Sequence, residues 1–125
     1  MQVRNLIVGE ELPEELRTGF EAGPCTDPEW IWVVERDEKI VASLIAAPAH
    51  IVAILLRIVA TPDAHSLDVR SLLLRATVDI KARGFNGYMV WADPERPNEK
   101  SLIDIVVASH GVKLPGTYVA CAGRL

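Results

Sequence analysis

The sequence predicts an α+β fold built on one mixed sheet. Residues 30–35 and 40–46 are rich in aromatic and β-branched side chains, as strands are, and a short polar segment separates them. From Asp68 onward the spacing of apolar residues changes from two to about 3.6, which is typical of an amphipathic helix. Another strand-like run, residues 88–92, follows that helix. Strands arranged before and after a helix in this way favour antiparallel and parallel pairs in the same sheet.

The beginning of the chain predicts a strand, a short helix and a hairpin. Residues 3–8 have the composition of a strand. Residues 13–16 begin with proline followed by two acidic residues, which predicts the first turn of a short helix. Residues 36–39 are polar and have the length of a hairpin turn, so we expect the strands on either side of them to pair.

The apolar segment 40–60 is long enough to span a bilayer, yet its composition favours two buried strands. Pro48 and His50 interrupt its middle and Arg57 lies near its end. Its content of valine and isoleucine is typical of strands that are buried on both faces. We therefore expect two strands joined by a turn at residues 47–50 and no membrane span.

The second half predicts two helices and two strands. Asp68 is placed to be the N-cap of the first helix, and Gly84 is placed to end it. Residues 99–109 predict a partly buried helix, and residues 118–121 predict a last strand, alone or in a hairpin. The apolar stripe of the first helix consists of Val69, Leu72, Leu73, Ala76 and Ile80.

Composition and charge exclude several classes of protein. The chain has 125 residues and a net charge of −4, which predicts a single domain over residues 1–125. An acidic balance without a basic run argues against nucleic acid and anionic membranes as partners. Two cysteines without metal-ligand spacing and three histidines predict no metal site. No secretion signal is evident at the start, so we expect a cytoplasmic protein.

The element order resembles that of the GNAT acetyltransferase family over nearly the whole chain. The long helix closes on Gly84-Phe85, as the corresponding helix of the family does. The resemblance implies a mixed, mostly antiparallel twisted sheet with helices on both faces. The segments that carry it are residues 34–41 and 58–63, Asn98 and Ser101 ahead of residues 110–112, and residues 118–121.

The resemblance implies an acetyl-CoA site at the end of the fourth strand and the start of the following helix. In the family, backbone N–H groups of a glycine-rich loop bind the pyrophosphate at a helix N-terminus, where the helix dipole favours an anion. In this chain the loop corresponds to residues 65–70, and both of its glycines are replaced. Asp68 introduces a carboxylate there, and Arg70 is a cation able to clamp phosphate oxygens. The implied contacts are Ile58, Val59 and Ala60 for the pantetheine arm, His65, Ser66, Asp68, Val69 and Arg70 for the phosphates, and Asn98.

The residues that would carry the chemistry stay unassigned. The family uses a glutamate on the fourth strand as a base and a tyrosine on the last helix as an acid. Here that strand offers only Arg57, and Ile105 or Val107 occupies the place of the tyrosine. Other candidates are His50, Asp104 and His110 for proton transfer, Glu35 and Asp37 for a cationic amine, and Trp30, Trp32 and Trp91 for a ligand cleft or the core.

Two functions remain open. One is acetyl-CoA-dependent transfer of an acyl group to an amine acceptor, which positioning alone can accelerate when the amine arrives neutral. The other is a non-catalytic structural or interaction protein with the same fold, for example a phage-encoded virion or host-binding component, with a protein partner or as a homo-oligomer. A small unrelated α+β module is a third possibility.

Overall fold

The computed structural model describes residues 1–17, 27–50, 52–92, 104, 112–114 and 119–124 of the chain. They fall into two compact units. The first consists of Met1–Ala47 and Arg57–Ala76, and the second of Pro48–Leu56 and Thr77–Leu125. The single domain expected over residues 1–125 stays a prediction.

Helices and strands occur in both units. Within the described residues the helical segments are α1 (Glu14–Arg17), a short 3-10 turn (Pro28–Trp30) and α2 (Ser66–Ala82). The strands there are β1 (Gln2–Asn5), β2 (Ile31–Arg36), β3 (Lys39–Ala49), β4 (Val52–Ala60), β5 (Gly87–Ala92), β6 (Val112–Leu114) and β7 (Val119–Arg124). None of the helices in these ranges is both long and apolar enough to cross a membrane.

The β2–β3 hairpin of the first unit is confirmed and closes with a two-residue turn. The two strands pair antiparallel up to Arg36 opposite Lys39. Between them, Asp37 and Glu38 both have left-handed backbone, with φ of 52° and 64°. These are the values of a type I′ turn, whose twist matches that of the flanking strands. On its other side β2 pairs antiparallel with β1.

The two faces of β2 contact different helices. Val33 belongs to a buried apolar cluster that includes Leu16 of α1. Successive side chains of a strand point to opposite faces, so Arg36 shares the other face with the fully buried Trp32. Arg36 hydrogen-bonds to Asp68 of α2. The first unit therefore has α1 on one face of its strands and the start of α2 on the other, as the family resemblance implies.

The second unit contains the parallel pair of the mixed sheet. β4 runs parallel to β5, from Val52 opposite Gly87 to Leu55 opposite Val90. β5 pairs antiparallel with β7, and β7 pairs antiparallel with β6. The strand order is β1-β2-β3-β4 in the first unit and β4-β5-β7-β6 in the second, because β4 contributes to both. The predicted mixed, mostly antiparallel sheet is confirmed.

Two boundaries differ from the sequence prediction. The first strand ends at Asn5 instead of continuing to residue 8, because the chain enters a turn in which the N–H of Glu10 donates to the carbonyl of Ile7 at 2.9 Å. The turn at residues 47–50 is shorter than predicted. β3 continues through Pro48 to Ala49, and His50, which has a φ of 61°, lies in a turn directly after it. The predicted helix over 99–109 lies outside the described residues except for Asp104, which is helical and exposed.

Candidate functional site

The end of β4, the start of α2 and the segment that joins them hold most of the acetyl-CoA contacts predicted from the sequence. A bulge in the β2–β3 ladder between Val34 and Glu35 leaves Val41 as the extra residue of β3. The carbonyl of Val41 accepts the N–H of Thr61 at 2.8 Å, directly after β4 ends. The N–H of Ala64 then donates to the carbonyl of Thr61 at 3.0 Å, and α2 begins at Ser66. These bonds fix the path of the chain into the first turn of the helix.

Asp68 is the most constrained side chain of this segment. Its side chain has 0% exposure, whereas that of its partner Arg36 has 29%. Oδ1 accepts from Nη2 of Arg36 at 2.6 Å, and Oδ2 accepts from Nε at 3.1 Å. Oδ2 also accepts the backbone N–H of His65 at 2.9 Å. The carboxylate is therefore fully hydrogen-bonded, as a buried charge must be.

The predicted N-cap role of Asp68 is wrong. Because α2 begins at Ser66, the N-cap position belongs to His65, and Asp68 is the third residue of the helix. A side chain at that position reaches back to the N–H of the N-cap residue, as in a capping box. The sequence pointed to Asp68 because aspartate is common at both positions, and it did not indicate which of the two applies.

Arg36 and Asp68 neutralise each other. The hydrogen bonds from Arg36 lower the pKa of Asp68, and the N–H of His65 adds to the effect, while burial opposes it. The same bond raises the pKa of Arg36. The negative charge expected at the helix start is thus present but compensated. The sequence analysis offered Arg70 as a clamp for phosphate oxygens, whereas the charge of Asp68 is compensated by Arg36.

The remaining predicted contacts lie on β4 and at the start of α2. Ile58 and Val59 are half-buried near the end of β4, and Ala60 is exposed. In the first turns of α2 Val69 is half-buried, and three residues are exposed, namely His65, Ser66 and Arg70. Asn98 lies outside the described residues. The role of these residues in binding stays a prediction.

Arg36 is the residue that sequence reasoning missed. It was assigned only to a polar turn, and its partner Asp68 is 32 residues away. A signal was nevertheless present. Arg36 is in phase with Trp32 on β2, so it lies on the face opposite the Leu16 cluster.

A second group of charges is centred on Arg4 of β1. Its guanidinium donates to both oxygens of Glu10, with the Nη1–Oε1 distance at 2.8 Å and the Nη2–Oε2 distance at 2.9 Å. Its Nε also donates to Glu35 at 3.3 Å. Glu35, which was considered as a receiver for a cationic amine, is therefore already paired with Arg4. Asp37, the other candidate, lies exposed in the hairpin turn.

The other residues considered from the sequence, among them the tryptophans and histidines, do not gather at one site within the described residues. Trp32 is fully buried and belongs to the core, and it meets Trp30 edge to face with ring centroids 6.1 Å apart. His50 is exposed in the turn between β3 and β4. The side chains of Arg57 and Trp91 are not described, and Ile105, Val107 and His110 lie outside the described residues. Across the described ranges no cluster of three or more His, Cys, Asp or Glu residues is placed to hold a metal ion.

Comparison with known proteins identifies the fold. No family model matches the sequence, and no curated protein sequence matches it. Solved structures do match. The structure of the NatC complex bound to Gag peptide and CoA aligns with a TM-score of 0.77 and 6% identity, covering 99% of this chain and 98% of that one. Ard1 from Thermoplasma volcanium aligns with a TM-score of 0.75 and 10% identity, with 99% and 97% covered.

A third structure shows a partial match. The PaiA N-acetyltransferase from Thermoplasma acidophilum, in complex with coenzyme A, aligns with a TM-score of 0.65 and 14% identity over 76% of this chain. The chain spans 60% of the length of that protein. These matched structures include N-acetyltransferases, and they agree with the element order and the mixed sheet described above. The chain therefore has the GNAT N-acetyltransferase fold.

Proposed function

We propose that this protein binds an acyl-CoA at the end of β4 and the first turns of α2, and transfers the acyl group to an amine. The observation that carries the proposal is the neutralised start of α2. Asp68 is buried and paired with Arg36, so its charge does not dominate the turn. His65, Ser66 and Arg70 are exposed around it. A helix N-terminus with a nearby arginine suits the diphosphate of coenzyme A.

The residues present fit such a ligand in three respects. The positive end of the α2 dipole and Arg70 supply positive potential for the phosphates. The backbone of Ile58, Val59 and Ala60 offers strand hydrogen bonds to the amide groups of the pantetheine arm. The hydroxyl of Thr61, in the turn between them, is buried and has no hydrogen-bond partner within the described part of the chain. One departure is the absence of the glycines that let the family's backbone approach phosphate closely.

The chemistry proposed is direct transfer. The nitrogen of a neutral amine attacks the thioester carbonyl and the C–N bond forms. The C–S bond then breaks, the nitrogen gives up one proton, and the leaving thiolate takes up one proton, so the products are an amide and the free thiol. β4 contains no carboxylate, so a dedicated base on that strand is absent. Positioning of the two substrates then supplies most of the rate acceleration, and the rate should rise with pH as the amine loses its proton.

Calorimetric titration with acetyl-CoA tests the proposal. We expect a micromolar dissociation constant, equivalent to about −8 kcal/mol. Arg70→Ala should weaken binding roughly tenfold, because an arginine–phosphate contact is charge-assisted. Lys81→Ala is the matched control, since Lys81 is an exposed cation in the last turn of the same helix. Absence of heat at millimolar acetyl-CoA would contradict the proposal.

A second candidate is a non-catalytic structural or interaction protein. One observation favours it: Asp68 stands in the place of a glycine and accepts the N–H of His65, so part of the anion-binding capacity of the turn is already used. On this reading the surface serves a protein partner or a second copy of the chain, for example in a phage particle. A wild-type protein that ignores acetyl-CoA yet elutes as a stable oligomer in size-exclusion chromatography would favour it. A cytoplasmic location without nucleic-acid, membrane or metal partners is part of both proposals.

A further inference from the structure

Asp68 places a carboxylate at the start of α2, where its negative charge would weaken the binding of an anionic ligand. Asp68 lies in the first turn of α2, and its side chain is fully buried. Its oxygens accept two hydrogen bonds from Arg36 and one from the backbone of His65. The carboxylate therefore cannot turn away into water. Its charge stays within the first turn whether or not a ligand is bound.

Arg36 decides the net charge of this turn. Without Arg36, the carboxylate of Asp68 would offset the positive potential at the N-terminus of α2. It would also repel the diphosphate of a ligand bound nearby. With Nη2 2.6 Å from Oδ1 and Nε 3.1 Å from Oδ2, the guanidinium compensates that charge through two direct hydrogen bonds. Arg36 reaches Asp68 because the two-residue turn at Asp37 and Glu38 ends β2 at this position.

We propose that Arg36 is a positioning residue for acyl-CoA binding, which acts by compensating the charge of Asp68 at the phosphate end of the site. It allows the chain to keep an aspartate in place of a glycine and still bind a diphosphate. This inference rests on the proposed function. It assigns a role to a strand residue that lies outside the loop and helix that carry the predicted phosphate contacts.

The test compares acetyl-CoA binding in a double-mutant cycle. Arg36→Gln leaves the carboxylate uncompensated and should weaken binding about tenfold at low salt, with the loss shrinking as salt is added. Asp68→Asn leaves the arginine uncompensated and should strengthen binding about threefold. The double variant Arg36→Gln/Asp68→Asn should return to within about threefold of wild type. Opposite signs for the two single variants are the signature of charge compensation.

A structural role alone predicts a different pattern. If the pair only fastens the hairpin to α2, both single variants lose affinity and salt has no effect, which would overturn the inference. Arg36→Lys provides a second check, because it keeps the charge but loses the two-pronged geometry. We expect it to keep binding within about threefold of wild type, and a loss equal to that of Arg36→Gln would also overturn the inference. Circular dichroism of each variant establishes that it is folded. If Arg36→Gln does not fold, the sign of the change in Asp68→Asn decides.

Failure of the proposed function has a separate signature. A wild-type protein that gives no heat with millimolar acetyl-CoA removes the binding site itself, and the inference falls with it. A wild-type protein that binds, together with single variants that weaken equally, overturns the role of Arg36 alone.

Discussion

Two arginine–carboxylate pairs in the first unit have nearly the same bonding but different surroundings. Arg36–Asp68 and Arg4–Glu10 are both two-pronged, with shortest N–O distances of 2.6 and 2.8 Å. The side chain of Asp68 has 0% exposure, whereas that of Glu10 has 28%. With both arginines in place, water reaches Glu10 but does not reach Asp68. The value of each pair to the fold is therefore set by the burial of its acid more than by bond length.

The two pairs are also carried by similar turns. Arg36 precedes the turn of Asp37 and Glu38, both with left-handed backbone. Glu10 follows Gly9, whose φ is 88°. One turn uses glycine for a conformation that side chains disfavour, and the other uses an aspartate and a glutamate. The hairpin that positions the buried pair thus carries more backbone strain than the loop that positions the half-exposed pair.

The largest effect is expected from removing the arginine of the buried pair. Arg36→Met leaves the carboxylate of Asp68 buried without a cation, and its loss of stability should be several times that of Arg4→Met. The free energy of unfolding from urea denaturation measures both losses. Equal losses would show that burial does not separate the two pairs.

The next largest difference between the two pairs is expected in how stability falls at acidic pH. The pKa of Asp68 is lowered in the folded state, chiefly by its hydrogen bonds from Arg36. A lowered pKa means that the folded state holds the proton less tightly than the unfolded chain, so stability is present above the ordinary value of about 4 and is lost as pH falls below it.

We therefore expect Asp68→Asn to flatten the fall of the free energy of unfolding as the pH drops below about 4. Glu10 also has a lowered pKa, through Arg4 first and the N–H of Ile7 second. Glu10→Gln should flatten the same curve less, because Glu10 is partly hydrated. Urea midpoints measured across this range provide the check, and parallel curves for wild type and Asp68→Asn would contradict it.

Removing a glycine from one of these turns and adding a glycine to the other should change stability in opposite directions. Gly9→Ala should destabilise by about 1 kcal/mol, since the left-handed φ is unfavourable for alanine although no atom lies within 4 Å of the added Cβ. Glu38→Gly should stabilise by about 0.5–1 kcal/mol, because its φ of 64° suits glycine. Thermal denaturation of both variants is the measurement. A loss of stability in Glu38→Gly would mean that the glutamate side chain contributes more than its backbone costs.

The smallest effect belongs to the half-exposed acid. Glu10→Gln should cost less than about 1 kcal/mol at neutral pH, and salt should reduce the cost. Chemical denaturation at low and high ionic strength measures it. A cost independent of salt would point to the bond between the N–H of Ile7 and Glu10, at 3.1 Å, as the main contribution.

Local pattern predicted the elements better than it predicted their connections. Four of the five residues of the predicted stripe are buried, and Val69 is half-buried, because helical periodicity is visible within one element. The hairpin was also found, since its turn is only two residues long. The Arg36–Asp68 pair joins β2 to α2, two elements that no local spacing relates. The Arg4–Glu10 pair likewise joins β1 to the turn that follows it. Contacts of this kind cannot be predicted from local sequence pattern, because they form only once the fold brings the two elements together.

The Arg36–Asp68 pair also limits the order in which this sequence can change over evolutionary time. If Arg36 is replaced first, the intermediate protein holds a buried Asp68 carboxylate without its cation. If Asp68 is replaced first, the intermediate protein holds an Arg36 side chain that is partly exposed to water. The aspartate should therefore be exchanged before the arginine. Descendants that keep an acid at position 68 are expected to keep a cation at position 36, while those with a neutral residue at 68 are free to vary at both.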